Sequence, residues 1–390
     1  MYTCDGEKSA GAGKLFGRYT EALLLETERR LAAISAENSA PINVPTVYIG
    51  GGTPSLLGET GITQLLGGIK DLITGSVVKE ITVEANPETA TPGFLRACAD
   101  HGVSRLSLGI QSFDQAVLKN AGRHTALDKL SVSKVLSEAS AVFGQGLSLD
   151  LISGFPGHNK AILAGDLEKA LSYSPGHISL YSLTLEEGTP LARYREKKGR
   201  GNFLSDEEAE ILWLSGRDFL KNAGFDHYEI SNFALGKERR SMHNTRYWRM
   251  ENWLGVGPGA SSTFINDNGC GRRTLYSPDT AIFDNGARGR APHVFITEEL
   301  GLSTVLKETL MMGYRYCGGP DTEVFQKRFG KTIEETIPQT LKKWAGKAGD
   351  KPLHELIMCF LNPFLLDAFK ELDNHGVLQN NSGGINGTEQ

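Results

Sequence analysis

Apolar and polar positions change period repeatedly along the middle of the chain. Val47-Tyr48-Ile49 is a short apolar run that ends in Gly50-Gly51-Gly52-Thr53-Pro54-Ser55, and Ile62, Leu65, Leu66, Ile69, Leu72 and Ile73 then recur at helical spacing. The unit is a strand, a glycine turn and a helix, and it returns downstream. Strands are predicted at residues 46–50, 80–85, 105–110, 147–152 and 177–184. Helices fall between them. One starts at Thr91-Pro92, with proline in the first turn, and stops at Gly102. Another carries Leu127, Val132, Val135, Leu136, Ala139 and Val142, and Ser205-Asp206-Glu207-Glu208 opens a later one with a capping-box pattern. Ahead of the first strand, Phe16, Tyr19, Leu23 and Leu31 give a helix over residues 14–34 its apolar side. Alternation of this kind means an α/β fold, a parallel sheet with helices outside, curved into a barrel. Residues 266–295 are rich in Gly, Asn, Asp and Arg and read as a connecting loop. From about Glu298 the pattern is mostly helical, ending in a helix over residues 364–376 just after Pro363.

Composition narrows the function classes. A net charge of −5 argues against a general nucleic-acid binder. The five cysteines, Cys4, Cys98, Cys270, Cys317 and Cys359, are scattered and odd in number, which argues against a secreted disulfide framework and for a reducing cytoplasm. No apolar run reaches spanning length and no signal peptide opens the chain, so no integral membrane segment is expected.

In parallel α/β barrels the chemistry sits at the carboxyl ends of the strands. Here those ends carry Gly51-Gly52-Thr53, then Glu84-Ala85-Asn86-Pro87, then Gln111-Ser112-Phe113 followed by Gly122-Arg123-His124, then Asp150 leading to Gly154-Phe155-Pro156-Gly157. Backbone N–H groups bared by glycine, two carboxylates, an amide and a guanidinium would therefore stand around one rim. A zwitterionic, ribose-bearing ligand needs that set, because carboxylates accept from ribose hydroxyls or an ammonium and a guanidinium grips a carboxylate. Each of these residues alone is an ordinary loop polar; the ordered set is the signal. A second cluster follows, Tyr228-Glu229-Ile230-Ser231-Asn232-Phe233, then His243-Asn244-Thr245-Arg246-Tyr247-Trp248, then Trp253-Leu254-Gly255-Val256-Gly257-Pro258-Gly259. A histidine beside aromatic rings suits heme, with imidazole to iron and flat rings against the porphyrin. By spacing alone, a packed histidine among buried aromatics is the better explanation.

Gly-Gly-Gly-Thr-Pro-Ser, Glu-Ala-Asn-Pro, Gly-Ile-Gln-Ser-Phe, Gly-Arg-His-Thr and Leu-Asp-Leu-Ile-Ser-Gly-Phe-Pro, in this order, resemble the radical S-adenosylmethionine proteins. More narrowly, they resemble the oxygen-independent coproporphyrinogen III oxidase family and its HemW-type heme-chaperone branch, over nearly the whole chain. One departure is that the family carries a residue between the arginine and histidine that stand here as Arg123 and His124. The resemblance implies a partial (β/α)6 barrel and a small, mostly helical C-terminal domain. Residues 1–230 would form the barrel core, 231–295 the heme-motif and connecting region, and 296–390 the helical domain. It implies that Gly51, Gly52, Thr53, Glu84, Gln111, Arg123 and Asp150, with Thr184 at the end of the fifth strand, contact S-adenosylmethionine. His-Asn-x-x-Tyr-Trp is a pattern of the heme-chaperone branch, which makes His243 the heme-contacting residue.

The family's hallmark is Cys-x-x-x-Cys-x-x-Cys after the first barrel strand, whose thiolates hold a [4Fe–4S] cluster and leave one iron open. Here Cys4-Asp5 matches the third cysteine; the second would fall on Met1 and the first would precede the chain. The first strand of the family's barrel has no counterpart either. The expectation is a clipped start, with Cys4 as one metal ligand of a cluster completed in a longer form, because an uncovered parallel strand is an aggregation hazard. A member without a cluster is the other reading. Three functions follow. The first is a heme chaperone that binds heme and passes it to heme-accepting apo-proteins, in the cytoplasm and, by analogy, at the inner face of the membrane. The second is coproporphyrinogen III dehydrogenase, which decarboxylates two propionates; the long N-terminal extension of that branch is lacking. The third is a barrel with no cofactor chemistry.

Overall fold

The computed structural model describes residues 6–38, 42–123, 129–199, 201–291, 293, 295–349 and 352–374. In chain order, helix α1 (Gly6–Asn38) precedes strand β1 (Thr46–Ile49), α2 (Gly58–Leu72), β2 (Glu80–Ala85), α3 (Pro92–Asp100) and β3 (Arg105–Gln111). Next come α4 (Gln115–Asn120), α5 (Lys129–Phe143), β4 (Leu147–Ser153), α6 (Lys160–Leu171), β5 (His177–Ser182), α7 (Pro190–Lys198), α8 (Asp206–Asn222), β6 (Asp226–Glu229) and β7 (Asn232–Ala234). The remainder is α9 (Met242–Trp248), β8 (Ser261–Ile265), β9 (Gly271–Tyr276), α10 (Thr280–Ala287), β10 (Phe295–Leu300), α11 (Leu302–Gly313), α12 (Thr322–Phe329), α13 (Ile333–Thr336), α14 (Pro338–Ala348), α15 (Leu353–Cys359) and α16 (Leu361–Asn374).

Residues 43–241 form one compact unit. Its curled sheet has seven strands in the order β1-β2-β3-β4-β5-β7-β6. β1 to β5 are parallel and in sequence order. The expected five strands are all present within a residue or two of their predicted ends. β6 and β7 extend the sheet antiparallel, beyond the all-parallel barrel that the alternation predicted. Thr91 caps α3 by accepting from Phe94 N–H at 3.2 Å, with Pro92 in the first turn. Val103 N–H returns to Cys98 O at 3.0 Å across Gly102, whose φ of +75° closes the helix. The Ser205–Glu208 capping box opens α8 as predicted.

The strands are two-faced. Leu106, Leu108, Leu147, Leu149, Leu151, Ile178 and Leu180 bury completely against the helices in one core with Phe94, Leu95 and Leu136. Register puts the alternate residues on the other face: Glu84 beside Ser107, Ser107 beside Ser148, Gly109 beside Asp150, Ser148 beside His177, and Asp150 beside Ser179. That face is mostly polar, with Ile152 beside Tyr181 an apolar exception. Leu108→Ala opens a cavity in the fully buried layer and is expected to cost about 2–5 kcal/mol, read from the urea midpoint.

The other unit comprises residues 1–42 and 242–390. Here the sequence reading of residues 266–295 as a loop is overturned. β9 lies there, hydrogen-bonded on both sides to β8 and β10, and α10 follows with Asp279 as its cap. The turn-forming residues are real, in Asn266–Cys270 and Ser277–Asp279, but Thr274 and Tyr276 between them and Phe283 just beyond are buried and supply the core contacts that composition hid. α1 packs on α10 through Ala22 and Phe283, with Arg18–Asp284 and Arg288–Glu21 ion pairs at 2.7 and 2.9 Å. From α11 to α16 the described residues are mostly helical, as expected. The helix predicted at 364–376 begins at Leu361, with Pro363 in its first turn, and the end at Gly376 lies outside the described residues. Buried Glu371 in α16 accepts from Gln339 N–H and Thr340 N–H at 2.8 and 2.7 Å, capping α14 where no local side chain does.

Candidate functional site

The polar face of the first unit carries most of the predicted rim. Glu84, at the end of β2, accepts from Gly51 N–H at 3.0 Å and from the Tyr48 hydroxyl at 2.6 Å. The chain must pass close to allow this. A Cβ on Gly50 would meet Tyr48 Cε1 at 2.5 Å and Glu84 Cδ at 2.6 Å, whereas Gly51, with φ +94°, and Gly52 face open space. Thr53 stands just before the short turn Pro54–Leu57, its carbonyl accepting from Leu56 N–H. The next two strands supply Asp150, whose carboxylate accepts from Ser107 Oγ at 2.9 and 3.1 Å. Burial pushes that carboxyl up from its ordinary range, and Ser179, Ser107 and Arg105 pull it back. The Tyr48 and Tyr181 phenols are raised, first by burial and then by the carboxylates around them, so both are neutral donors. Gln111 sits at a slip in the β3–β4 register with φ +70°, and its Nε2 lies 2.8 Å from where a Gly109 Cβ would be. Gly109 pairs with Asp150, so the amide stands over the same face.

Gly51, Glu84, Gln111 and Asp150 are thus brought onto one face. Arg123 and Thr184 are exposed beyond the strand ends. Arg123 follows α4 through Gly122, with its N–H on Leu118 O at 2.9 Å. Cys4, the cluster ligand implied by the resemblance, and His124 lie outside the described residues, as does Leu127.

Deeper on the same face lies a row that the motif reading missed. Arg105 donates to Ser148 Oγ at 3.0 Å, Ser148 Oγ meets His177 Nδ1 at 2.9 Å, and His177 Nε2 meets the Tyr228 hydroxyl at 2.8 Å. Burial first, and Arg105 second, drive the imidazole pKa well down. The ring is therefore neutral, so one of its nitrogens donates and the other accepts along this row. Glu229 is fully buried in this unit, on the face shared with Asn232 and Ser179, and neither carboxyl oxygen has a hydrogen-bond partner at proper geometry. Burial pushes it up to about 7 against the opposing pull of Asn232 and nearby amides. The strict alternation in Arg-Leu-Ser-Leu-Gly, Leu-Ser-Leu-Asp-Leu and His-Ile-Ser-Leu-Tyr was the available signal for this polar face. A pH dependence follows. The folded protein holds the Glu229 proton between about pH 4.5 and 7, where the unfolded chain has released it. That stabilisation is complete below 4.5 and is lost as pH rises through about 7. Relative to Glu229→Gln, the protein should lose about 3 kcal/mol between pH 4.5 and 8, measured by urea unfolding at both.

In the other unit, His243 lies on α9. Its ring centroid is 5.1 Å from that of Tyr247, which in turn is 4.6 Å from Trp253. Burial first, and Arg246 second, lower the imidazole to about 4, so the ring is neutral across the physiological range. The i, i+4 spacing on one helix is what brings histidine and tyrosine together, with ring planes tilted by 59°. Trp253 bridges to Thr263 of β8, and its Nε1–H donates to Ser261 O at 3.1 Å, which fixes the indole.

Among the described residues, no group of three His, Cys, Asp or Glu side chains is arranged to hold a metal ion. No helix among them is long and apolar enough to cross a membrane.

Comparison with known proteins bears on the family and the fold. The profile of the radical SAM superfamily matches residues 8–170. The chain is 31% identical over 351 residues to the heme chaperone HemW of Lactococcus lactis, covering 87% of this chain and 86% of that one. It is 30% identical over 347 residues to HemW of Bacillus subtilis, at 88% and 87% coverage. To radical S-adenosyl methionine domain-containing protein 1, mitochondrial, of Mus musculus, it is 36% identical over 321 residues, at 76% and 70%. Among solved structures, coproporphyrinogen III oxidase (HemN) from Escherichia coli superposes with a TM-score of 0.71 over 93% of this chain and 84% of that one; at 17% identity the likeness speaks for the fold alone.

Proposed function

We propose, from the premise that the chain belongs to the radical S-adenosylmethionine superfamily and there to the HemW-type family, that it is a heme chaperone, binding heme and passing it to heme-accepting apo-proteins. The observation that carries this reading is the cluster of His243, Tyr247 and Trp253, a neutral imidazole with two tilted aromatic rings in succession beside it. A neutral ring offers iron a lone pair with no proton to displace. The polar face of the sheet is read as the S-adenosylmethionine site. Gly51 and Gly52 leave their backbone open to close approach, Glu84 and Asp150 would accept from ribose hydroxyls or the ammonium, Gln111 would add an amide, and exposed Arg123 would grip the carboxylate. Thr53 and Thr184 flank that set. The ligand's own contribution when bound is a reactive sulfonium; this chain's residues orient it. The described residues do not fit a [4Fe–4S] cluster, since they lack a ligand set, and no step is assigned to one. The same reading places the protein in the cytoplasm, with transfer at the inner face of the membrane. It also divides the chain into a binding barrel up to residue 230, a heme-motif region to 295 and a helical domain beyond.

The test is to load the protein with heme and mix it with a heme-free b-type cytochrome. The expected result is loss of the donor's Soret band and growth of the acceptor's. Heme that stays on the donor sinks the transfer claim. Conversion of coproporphyrinogen III to protoporphyrinogen IX by the protein would replace the chaperone reading with the dehydrogenase.

A further inference from the structure

The turn after β3 is held from a distance. Asp166, on α6, is almost fully buried, and its carboxylate accepts from Ser112 Oγ at 2.6 Å and from Phe113 N–H at 2.8 Å. Ser112 Oγ also accepts from Asp114 N–H at 3.1 Å, and Asp114 caps α4, the helix that leads to Gly122 and Arg123. On the other side, His158 Nε2 lies 3.6 Å from Asp166 and Nδ1 accepts from Gly154 N–H at 3.3 Å. One buried carboxylate on α6 therefore holds the loop after β3 by two hydrogen bonds, with His158 of the loop after β4 beside it but not hydrogen-bonded to it.

The residue immediately before this clasp is Gln111, which holds a left-handed conformation at φ +70°. For a residue with a Cβ that conformation is unfavourable and persists only when its surroundings over-determine it. The two bonds to Asp166 start at the very next residue. The flip is also what lays the Gln111 amide over Gly109, beside Asp150, instead of along the sheet. A clasp that only joined α6 to β3 would not require a strained residue at its edge.

We propose that Asp166, acting through Ser112 and the Phe113 amide, is a positioning residue for S-adenosylmethionine, locking Gln111 so that its amide faces the ligand. The assignment rests on the reading of the polar face as the site of that ligand. Asp166 itself does not touch the ligand.

The test is calorimetric titration of S-adenosylmethionine into the full chain, as wild type, Gln111→Ala, Asp166→Asn and the double variant, with Glu84→Ala as the control for the site itself. Each single change is expected to weaken binding about tenfold, the equivalent of one good hydrogen bond, and the double variant to bind no worse than the weaker single. Exchange of the Phe113 amide should quicken in Asp166→Asn. If Asp166→Asn does not fold, Ser112→Ala removes one of the two bonds and takes its place. Wild-type affinity in Asp166→Asn, with a lowered melting temperature only, would make the clasp structural and overturn the proposal; so would additive losses in the double variant. If Glu84→Ala weakens binding and Gln111→Ala does not, the site stands and the positioning role falls. If neither change matters, or the wild type does not bind, the site reading fails and takes the proposal with it.

Discussion

His243→Ala is expected to lower heme affinity on the order of a hundredfold, since even the outer partners of metal ligands cost tenfold to a hundredfold. The reasoning starts from protonation. An imidazole near its ordinary pKa would be partly protonated at neutral pH and would have to lose that proton to bind iron. Burial, with Arg246 adding to it, brings His243 down to about 4, so that competition is absent. Heme affinity should therefore be flat from pH 8 to about 5 and fall only as pH drops toward 4, where the ring gains its proton. Tyr247 and Trp253 offer the flat surfaces, and Tyr247→Ala should cost a further, smaller part, about 1 kcal/mol. Heme titration followed at the Soret band, with stoichiometry, reads all three. Unchanged affinity and stoichiometry in His243→Ala would remove the residue from the site.

Gly50→Ala should abolish most S-adenosylmethionine binding although Gly50 is not itself a contact. Its Cβ would sit 2.7 Å from Glu84 Oε1 and closer still to Glu84 Cδ and Tyr48 Cε1, so the carboxylate must leave the position it holds on Gly51 N–H. A hydrogen bond to a charged group is worth about 1.5–3 kcal/mol, which is about tenfold to a hundredfold in affinity. Glu84→Ala should match that loss. Gly52→Ala is the informative contrast. A Cβ there meets nothing within 4 Å, so the fold should be untouched, yet a ligand packed on that backbone would be pushed away. Calorimetry and thermal melts on the three variants separate the cases. Full affinity in Gly50→Ala would mean that Glu84 is not held for this ligand.

The three glycines look alike in sequence, and only their neighbours set them apart: one is wedged against a strand partner, one turns at positive φ, one is open. The same contrast runs through the chain. The strands, the Thr91 and Ser205 caps and the helical C-terminal part were legible because period, turn chemistry and capping are written within a few residues. So was the placing of Gly51, Glu84, Gln111 and Asp150 on one side, since parallel strands deliver their carboxyl ends to one side whatever lies between. The segment 266–295 was misread because its glycines and aspartates announce turns, while the burial of Tyr276 and Phe283 depends on α1, far away in sequence. Strands β6 and β7 were missed because each is short, β7 becoming a strand by pairing with β5 and β6 by pairing with β7.

By itself, then, the sequence determined an α/β sheet with its polar residues at the strand ends, a histidine set at helical spacing from a tyrosine, and the family to which these belong. Tertiary structure decided the rest. Glu84 is 33 residues from the amide it accepts from, and Ser112 is 54 residues from Asp166. Whether Gln111 faces the site, whether Glu229 is charged and whether His243 is neutral depend on partners and burial brought by the whole fold, because hydrogen bonds and desolvation act through space over a few ångströms and carry no mark in the local run of residues.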